Sequence, residues 1–444
     1  MSRSPFESSV NKATPGLLPA PASDDRERAG ARNGRRDILI GARQRSDTYL
    51  PIVLERLRRT VVTWRIGRRI SLSTTAAATT AARTNGGGLV NADPLVALAA
   101  ELTSHPADGS GFNGARHEIR SGSTYLVTGC AGFIGSHLVE ALCARGCSVV
   151  GVDAFTDNYS RAAKERNLAQ CSRTGDVRFL ERDLAETPLE PLFEGVDGVF
   201  HLAGRPGVRT SWGSTFAAYL HDNLLATQRV FEAAVRQEIR VVYASSSSVY
   251  GDVRAYPLRE DTALFPVSPY GVSKLGCEAL ATAYTLSRGL DAIGLRYFSV
   301  YGPRQRPDMA FSRVLGCLAK NRPFGVLGSG RQTRDFTYVG DVVSATLAAM
   351  ERAASGRVYN VGGGCEISLL DSLALCAEIA GRKIDLRHIP AAVGDARRTI
   401  ADAGRACAEL GWRPTTSLES GLIAQISAAA ELEPGRPVAW VGQA

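Results

Sequence analysis

The chain has 444 residues, 44% of them hydrophobic, and a formal net charge of +8, so it is long enough for two or three domains. Residues 1–120 contain 18 of the 52 Lys+Arg and 11 of the 44 Asp+Glu, so the remaining residues are close to neutral. This balance argues against a nucleic-acid partner for the main body of the protein. No run of about 18 apolar residues is present, so no membrane-spanning helix is predicted.

The cysteines give no sign of a metal site or a disulfide framework. Nine of them are scattered without a CxxC pair or a Cys/His cluster at metal spacing. An odd count in a chain of this size is not typical of a disulfide-stabilised protein. The N-terminus also lacks the basic-then-apolar order of a secretion signal. The sequence therefore predicts a cytoplasmic protein with reduced thiols and no metal.

Residues 1–120 differ in composition from the rest and include the low-complexity stretch STTAAATTAARTNGGG. Such a composition buries too little apolar surface to fold alone, which predicts a disordered leader. One part of it, YLPIVLERLRRTVVTWRIGRRI at residues 49–70, has the pattern of a basic amphipathic helix. A tether to an acidic membrane surface or to nucleic acid therefore stays open for the leader.

From Ser123 onward, apolar runs of four to six residues alternate with helical stretches. The runs are STYLVTG, CSVVGVD, VRFLERD, GVDGVFHLAG, IRVVYASSSS and DAIGLRYFSV. Strands alternating with helices predict right-handed βαβ units and a doubly wound parallel sheet of the α/β class. We predict a nucleotide-binding Rossmann domain at 121–300 and a smaller α/β substrate lobe at 301–444. Residues 357–363 are expected to return one more strand to the sheet.

A glycine-rich turn follows the first of these strands. TGCAGFIG has Gly129, Gly132 and Gly135 between a strand and a helix, where glycines let the backbone approach a pyrophosphate at the positive end of the helix. Asp153 ends the next strand, 18 residues after Gly135. A carboxylate there would accept hydrogen bonds from the adenosine ribose and repel a 2′-phosphate. The cofactor predicted is NAD.

The stretch SPYGVSKLG has a tyrosine and a lysine one helical turn apart. Ser268 is a good N-cap and Pro269 suits the first helical position, so Tyr270 and Lys274 share one face of a helix. A fixed cation lowers the pKa of a neighbouring tyrosine, and the pair has the chemistry of a general base. A surface Tyr–Lys pair with no function is the alternative that the spacing alone leaves open.

Four motifs together resemble the extended short-chain dehydrogenases/reductases, and within them the NDP-sugar 4-epimerases. The motifs are TGCAGFIG, HLAG at 201–204, SSSSVYG at 245–251 and YGVSK at 270–274. The resemblance runs from about residue 123 to the C-terminus. It implies that Tyr270 is the catalytic base, that Lys274 assists it, and that Ser246 hydrogen-bonds the reacting sugar oxygen. It also implies a homodimer formed through two helices.

The resemblance also implies a set of cofactor contacts. Phe133 and Ile134 of the glycine loop would contact the cofactor, and Asp183 and Leu184 would contact adenine. Further contacts are implied for Leu202, Ala203, Gly204, Asn223 and Tyr297, together with Tyr270 and Lys274 themselves.

The serine run bears on the type of reaction. Dehydratases of this superfamily have an acid pair beside the equivalent of Ser246, and decarboxylating relatives usually have a glutamate before VYG. This chain has Ser247 and Ser248 instead, so elimination lacks an acid and a 4-keto intermediate would be reduced again. The sequence favours an epimerase, with a dehydratase or decarboxylase as the alternative. A non-catalytic NAD-binding protein on the same fold is the other alternative.

The sugar nucleotide is expected in the C-terminal lobe, whose arginines suit phosphate and carboxylate. The resemblance implies that Arg334 binds the pyrophosphate. By likeness to UDP-glucuronate 4-epimerases, Arg306 would clasp the uronate carboxylate, assisted by Ser247, Ser248 and Ser299; a loop ion pair between Arg306 and Asp308 is the alternative.

The late GD motif departs from the pattern of glucose-type epimerases. Asp395 is retained, but Ala392 stands where those enzymes commonly have an arginine. Arg397 or Arg398 could substitute. UDP-glucose and UDP-N-acetylhexosamine therefore stay open as substrates beside UDP-glucuronate.

Overall fold

The computed structural model describes residues 117–391 and 393–431. The predictions for residues 1–116, including the amphipathic segment 49–70, and those for Ala392 lie outside the described residues. No helix in the described part of the chain is both long enough and apolar enough to cross a bilayer.

Strands and helices alternate through the first half of the described chain. The strands are β1 Thr124–Thr128, β2 Ser148–Asp153, β3 Val177–Glu181, β4 Gly198–His201, β5 Val241–Ser246, β6 Ala292–Tyr297, β7 Val300–Tyr301, β8 Phe324–Leu327, β9 Thr333–Asp335, β10 Thr337–Tyr338, β11 Val358–Val361, β12 Glu366–Ser368 and β13 Leu386–Ile389. The helices are α1 Phe133–Cys143, α2 Arg161–Cys171, α3 Glu190–Phe193, α4 Phe216–Tyr219, α5 Ala226–Gln237, α6 Pro269–Arg288, α7 Ala310–Ala319, α8 Val339–Arg352, α9 Leu369–Ile379, α10 Gly404–Leu410 and α11 Leu418–Glu431. A π-helical stretch, Leu220–Leu225, joins α4 to α5.

The central sheet has seven parallel strands in the order β3-β2-β1-β4-β5-β6-β11. The predicted doubly wound parallel sheet is thereby confirmed. From β1 the chain winds outward through β2 to β3, and then returns to start the other half at β4. The strand order reverses between β1 and β4, where a crevice opens at the carboxyl ends of the strands.

Both faces of the sheet are covered by helices, which explains why its strands are continuous apolar runs. On one face, α1, α8 and α10 pack against strand residues such as Val127, Phe200 and Ile293. On the other face, α3, α5 and α6 cover Leu126 and Val199. Most of the core of the molecule lies in these two layers.

The C-terminal lobe has a core of its own. Helices α7, α9 and α11 pack around β8, and Phe311, Phe324 and Leu422 are fully buried among them. Three two-stranded sheets, β10-β7, β12-β9 and β13-β8, complete the lobe.

The chain crosses between the two lobes more often than the predicted boundary at residue 300 implies. Val358–Val361 pairs with β6 and extends the main sheet. Helix α8 and helix α10, both within the predicted 301–444 lobe, pack on the sheet with α1. The reason is that a parallel strand needs a crossover helix, and α8 is that helix for β11.

The third glycine of the loop is tested by substitution. A Cβ on Gly135 would collide with the Gly129 carbonyl oxygen, whereas a Cβ on Gly316 in α7 would meet nothing within 4 Å. We expect Gly135→Ala to lower the free energy of unfolding by about 1–3 kcal/mol or more. Gly316→Ala should raise it by up to about 1 kcal/mol through helix propensity. Urea denaturation of both variants measures this, and equal effects would contradict the close packing of helix on loop.

Candidate functional site

The glycine loop lies between β1 and α1 and is shaped by close backbone contacts. Gly129 has φ +71° and a Cβ there would lie 2.8 Å from the amide nitrogen of Ala203. Its amide donates to the Val152 carbonyl at 2.7 Å, which fixes the turn against β2. Gly132 is the N-cap of α1 and offers no side chain to cap it. The loop therefore leaves bare backbone at a helix N-terminus, as a bound diphosphate requires.

A cavity of about 420 Å³ opens from this loop across the carboxyl ends of the strands to the C-terminal lobe. The sequence-predicted residues that line it are Gly129, Gly132, Phe133, Ile134, Gly135, Asp153, Asp183, Leu184, Leu202, Ala203, Gly204, Ser246, Ser247, Ser248, Tyr270, Lys274, Tyr297, Ser299, Arg306, Arg334 and Asp395. Asn223 is buried behind the wall of the cavity.

Asp153 lies at the end of β2 beside a lysine that the sequence analysis did not single out. Burial raises the pKa of Asp153, and the nearby Lys164 opposes that rise. The Lys164 ammonium is 3.9 Å from Asp153 Oδ1 and donates to the Thr156 carbonyl at 2.8 Å. The charge at the predicted ribose position is thus that of a buried acid–base pair rather than of a lone carboxylate.

The predicted adenine end of the cavity is acidic. Asp183 Oδ1 accepts the Ala185 amide at 2.8 Å, so its backbone turn is fixed. His221 lies against this edge, and a hydrogen bond with Asp222 is the main cause that raises its pKa. Ligand atoms of Asp183, Glu186 and His221 lie within 4.8 Å of one another. Residue spacing did not indicate this cluster, because tertiary folding brings His221 to it.

Helix α6 carries the predicted base and its helper. Ser268 accepts the Gly271 amide at 3.1 Å and Pro269 begins the helix, which confirms the N-cap prediction. Among the described residues the Tyr270 hydroxyl has no hydrogen-bond partner, and its ring meets that of Tyr219 edge-on at 6.2 Å. A phenol that faces a cavity without a protein partner is available to a ligand.

Lys274 is buried one turn along the same face. Its ammonium donates to the Ala244 carbonyl at 2.9 Å, which leaves two of its protons for a ligand. Burial, and the charge of Lys274 next, lower the pKa of His201 to about 3. His201 is therefore neutral and hydrogen-bonds the hydroxyls of Thr128 and Thr227, so Lys274 is the cation of this part of the site.

Ser246 is the last residue of β5. Its hydroxyl oxygen accepts the Ser248 amide at 3.1 Å, so Ser246 caps the following 3₁₀ turn. The hydroxyl proton stays available on the cavity side. Within the described part of the chain, the hydroxyls of Ser247 and Ser248 have no protein partner. Three hydroxyls thus face the cavity from one strand end.

Two predicted cofactor contacts are turned toward the protein. Asn223 accepts the Arg205 amide at 2.6 Å and donates to the Ser273 hydroxyl at 2.9 Å. It therefore fixes the turn after Gly204 from its place on the π-helical stretch. The Tyr297 hydroxyl is hydrogen-bonded with Thr346 at 2.8 Å, on the α8 side of the sheet. Both residues hold the wall in position, and any contact of Tyr297 with a ligand comes from elsewhere on the residue.

A buried ion pair lies directly beneath the serine run. Arg296 on β6 and Glu278 on α6 approach to 2.7 Å, with side chains 3% and 7% exposed. Ser245 donates to the same glutamate, and Arg296 also donates to the Tyr250 hydroxyl at 2.8 Å. The pair thereby connects the strand that carries Ser246 to the helix that carries Tyr270 and Lys274.

The C-terminal lobe contributes arginines to the opposite wall. Arg306 forms an ion pair with Asp308 at 2.9 Å, which is the alternative that the sequence left open, and it also lines the cavity. Arg334 on β9 has no acidic partner within ion-pair distance among the described residues. Burial is the main cause that lowers its pKa. This guanidinium is the uncompensated cation of that wall.

Asp395 is paired with Arg209, a residue of the first lobe that the sequence analysis did not select. Arg209 Nη2 lies 2.7 Å from Asp395 Oδ2. Arg397 and Arg398, either of which could substitute for the arginine missing at position 392, form ion pairs elsewhere. Arg397 pairs with Asp252 at 2.8 Å, and Arg398 pairs with Glu366 at 2.6 Å. Neither of them lines the cavity.

Other cavity residues were also missed. Asn158, Tyr159 and Lys164 come from the segment after β2, and Thr399 comes from the C-terminal lobe. The Tyr159 hydroxyl is buried without a partner among the described residues. Tyr159 and Arg209 lie in the stretches DAFTDNY and AGRPGVRTSW, which the sequence analysis did not use to select site residues.

The sheet, the glycine loop and the cavity between two lobes define a dinucleotide-binding α/β protein with a second ligand site. A profile of the NAD dependent epimerase/dehydratase family matches residues 125–362. The chain belongs to this family.

Individual relatives are similar over the same region. The uncharacterized UDP-glucose epimerase YtcB of Bacillus subtilis is 41% identical over 70% of this chain and 99% of its own length. The UDP-glucuronate 4-epimerase of Thermodesulfobacterium geofontis is 34% identical over 67% of this chain and 93% of its own. A similar solved structure is that of UDP-glucuronic acid 4-epimerase from Bacillus cereus, in complex with UDP-glucuronic acid and NAD. It matches with a TM-score of 0.68 and 39% sequence identity, over 70% of this chain and 99% of its own.

The buried pair beneath the serine run is tested by Glu278→Gln. This change leaves Arg296 buried without its counter-charge, and we expect it to lower the free energy of unfolding by about 3–5 kcal/mol. Glu165→Gln is the matched control, because Glu165 pairs with Arg161 at 2.8 Å on the surface and should cost less than about 1 kcal/mol. Chemical denaturation measures both, and a similar loss in the two variants would contradict the structural role of Glu278.

Proposed function

We propose that the protein is an NAD-dependent 4-epimerase of a UDP-sugar of the UDP-glucuronate or UDP-glucose type. The observation that carries the proposal is the convergence of Ser246, Tyr270 and Lys274 in one cavity between the glycine loop and the arginines of the second lobe. A binding protein has no need for a hydroxyl, a phenol and a buried cation around one point. A family enzyme that oxidises and reduces a sugar alcohol needs all three.

The residues of the first lobe fit NAD. Bare backbone at Gly129, Gly132 and Gly135 suits its pyrophosphate, and Asp153 suits a ribose with free hydroxyls. Bound there, NAD would supply the acceptor for the hydride of the sugar C4 and the donor for its return. The two protons of Lys274 that Ala244 does not take are available to the nicotinamide ribose.

The chain's own residues handle the proton. Tyr270, as its phenolate, removes the O4 proton, and the cation of Lys274 stabilises that phenolate. The Ser246 hydroxyl donates to the reacting oxygen while its oxygen holds the Ser248 amide. Once the 4-keto sugar turns over, Tyr270 returns the proton to O4 and the configuration at C4 is inverted.

The serine run favours epimerisation over elimination. The acids that line the cavity are Asp153, Asp183, Asp222 and Asp395, and none of them belongs to the segment 245–248. A dehydratase needs an acid there to protonate the departing hydroxyl. Serine hydroxyls hydrogen-bond a substrate but do not supply a proton at neutral pH.

The same hydroxyls suit a uronate. Ser247, Ser248 and Ser299 line the cavity together with Arg306, and a carboxylate accepts hydrogen bonds from all of these groups. Asp308 already forms an ion pair with the Arg306 guanidinium. A uronate carboxylate would therefore compete for Arg306 with the exposed carboxylate of Asp308. This arrangement favours UDP-glucuronate and still admits UDP-glucose.

Proton NMR of the sugar C4–H signals tests the reaction. We expect the full chain, without added NAD, to convert UDP-glucuronate or UDP-glucose to the galacto-configured product, because the cofactor is regenerated in each cycle and should stay bound. Tyr270→Phe should abolish the conversion. Arg306→Ala should lower kcat/KM for UDP-glucuronate by about 10- to 100-fold, the worth of a charge-assisted hydrogen bond, with little effect on UDP-glucose.

The alternatives give different outcomes in the same experiment. A 4-keto or decarboxylated product would replace the epimerase by a dehydratase or decarboxylase. Absence of any change, even with NAD added, would favour another nucleotide sugar or a non-catalytic NAD-binding protein.

We also propose that the protein forms a homodimer in the cytoplasm. Helix α6 presents an exposed apolar stripe of Val272, Ala279, Ala283 and Leu286, and Ala217, Leu220 and Leu225 are exposed on the stretch before α5. A second copy would bury these two helix faces. All nine cysteines are free thiols, most of them buried, which fits a reducing compartment.

The dimer is tested by placing a charge on the stripe. Leu286 and Val393 are each 74% exposed, but only Leu286 belongs to the apolar stripe. Leu286→Glu should halve the mass measured by light scattering, because it would bury a charge at the interface. Val393→Glu should leave the mass unchanged. A monomeric unmodified protein would overturn the proposal.

A further inference from the structure

We propose that Arg304 is a positioning residue for sugar binding: helix α1, which starts at the glycine loop, binds Arg304, and this contact sets the place of Arg306 in the cavity. Both arginines belong to the segment 302–309, which joins β7 to α7. The inference rests on the proposed function, since it takes Arg306 as the group that meets a uronate carboxylate. It extends that proposal by naming the residues that hold Arg306 in position.

Arg304 forms a largely buried ion pair with Glu140 on α1. Its Nη1 and Nη2 atoms donate to the two carboxylate oxygens of Glu140, at 2.8 and 2.6 Å. The two side chains are 10% and 22% exposed. Paired N–H···O bonds between a guanidinium and a carboxylate fix the orientation of the partners as well as their distance. The segment 302–309 is thereby joined to α1 in a defined orientation.

His137, one turn before Glu140 on α1, makes a second link to the same segment. Its Nε2 atom is 2.9 Å from the Pro303 carbonyl oxygen, and since a carbonyl can only accept, Nε2 carries the proton. Nδ1 therefore accepts from the Arg304 guanidinium. Burial, and the charge of Arg304 next, lower the pKa of His137 to about 4. The neutral ring that both bonds require is thus the form present at neutral pH.

The backbone also indicates that the segment is held by its surroundings. Arg304 has φ +62°, a left-handed conformation that few residues with a side chain adopt. Such a conformation persists where surrounding contacts determine it. On the side away from α1, Gln425 of α11 accepts the Gly302 amide and donates to Gln305 Oε1, each at 3.0 Å. The first half of the segment is therefore fixed between helices of the two lobes.

Arg306 depends on these anchors because its side chain has none on another element. Within the described chain, its guanidinium bonds only to Asp308 of the same segment, yet it lines the cavity. Its position relative to the first lobe is therefore set by the backbone of residues 303–305. A misplacement of about 1 Å can cost a reaction about 100-fold, so the Arg304 contact should matter for a substrate that uses Arg306.

Steady-state kinetics of the full chain with UDP-glucuronate and UDP-glucose test the inference. We expect Arg304→Gln to lower kcat/KM for UDP-glucuronate by about 10-fold, mainly through KM, and to leave UDP-glucose within about 3-fold. Glu140→Gln removes the counter-charge but keeps an acceptor, so it should act in the same direction by a smaller factor. Arg145→Gln is the control, because Arg145 follows α1 and pairs with Glu351 of α8 at 3.0 Å. It should leave both sugars within about 2-fold.

A double substitution separates positioning from a general structural role. In the Arg306→Ala background, Arg304→Gln should cause no further loss with UDP-glucuronate, because the group that it positions is gone. Losses that multiply would mean that Arg304 acts by another route, and they would overturn the inference. If Arg304→Gln does not fold, the comparison of the two sugars and the double substitution are made with Glu140→Gln.

Two further results would overturn the inference. Equal losses with both sugars would mean that the cluster of Arg304, Glu140 and His137 only supports the fold. Unchanged kcat/KM for UDP-glucuronate in Arg304→Gln and Glu140→Gln would mean that Arg306 does not depend on it. The proposed function fails separately. If the unmodified protein converts neither sugar, or Arg306→Ala leaves UDP-glucuronate unaffected, the proposed uronate contact is wrong and the inference falls with it.

Discussion

The buried ion pair between Arg296 and Glu278 is the constraint on which the proposed reacting groups depend. A charge removed from water is costly unless its partner is in place, so helix α6 can take only the position that brings Glu278 to β6. That position also fixes Tyr270 and Lys274, which lie on the same helix face two turns and one turn earlier. Ser245 shares the glutamate, and Ser246 follows it. One electrostatic requirement therefore aligns a helix with the strand end that faces it.

The placement of the proposed reacting groups could be predicted from the sequence because it depends on local geometry. The spacing in SPYGVSKLG sets Tyr270 and Lys274 on one helix face, and a glycine turn after a strand shows itself by its residue types. Both the helix face and the glycine turn are formed by residues close together in the sequence, so predicting them requires no knowledge of the tertiary structure. The seven-stranded sheet was predictable for the same reason, since its strands are continuous apolar runs between helices.

What the sequence analysis missed are ion pairs that form only when the chain folds back. Lys164 meets Asp153 because α2 turns back toward the end of β2. Arg209 and Asp395 are 186 residues apart and meet only when the two lobes come together. Asn223 shows the opposite limit. The family resemblance implied a cofactor contact for this residue, but the π-helical stretch buries it, and its side-chain amide holds the turn after Gly204. Position in a motif does not indicate the direction in which a side chain points.

Strand β11 is synthesised well after β6, its neighbour in the sheet, and this order has a consequence for folding during synthesis. Strand β6 ends at Tyr297, yet its outer neighbour in the sheet is Val358–Val361. While a ribosome makes the intervening residues, the nascent sheet has an open edge of unpaired backbone groups, and such edges pair readily with other chains. The N-terminal half therefore cannot be completed as an independent unit ahead of the C-terminal half. Folding of the first lobe therefore has to wait for synthesis of the second. A chain truncated after β6 would expose a sheet edge that could pair with other chains and aggregate.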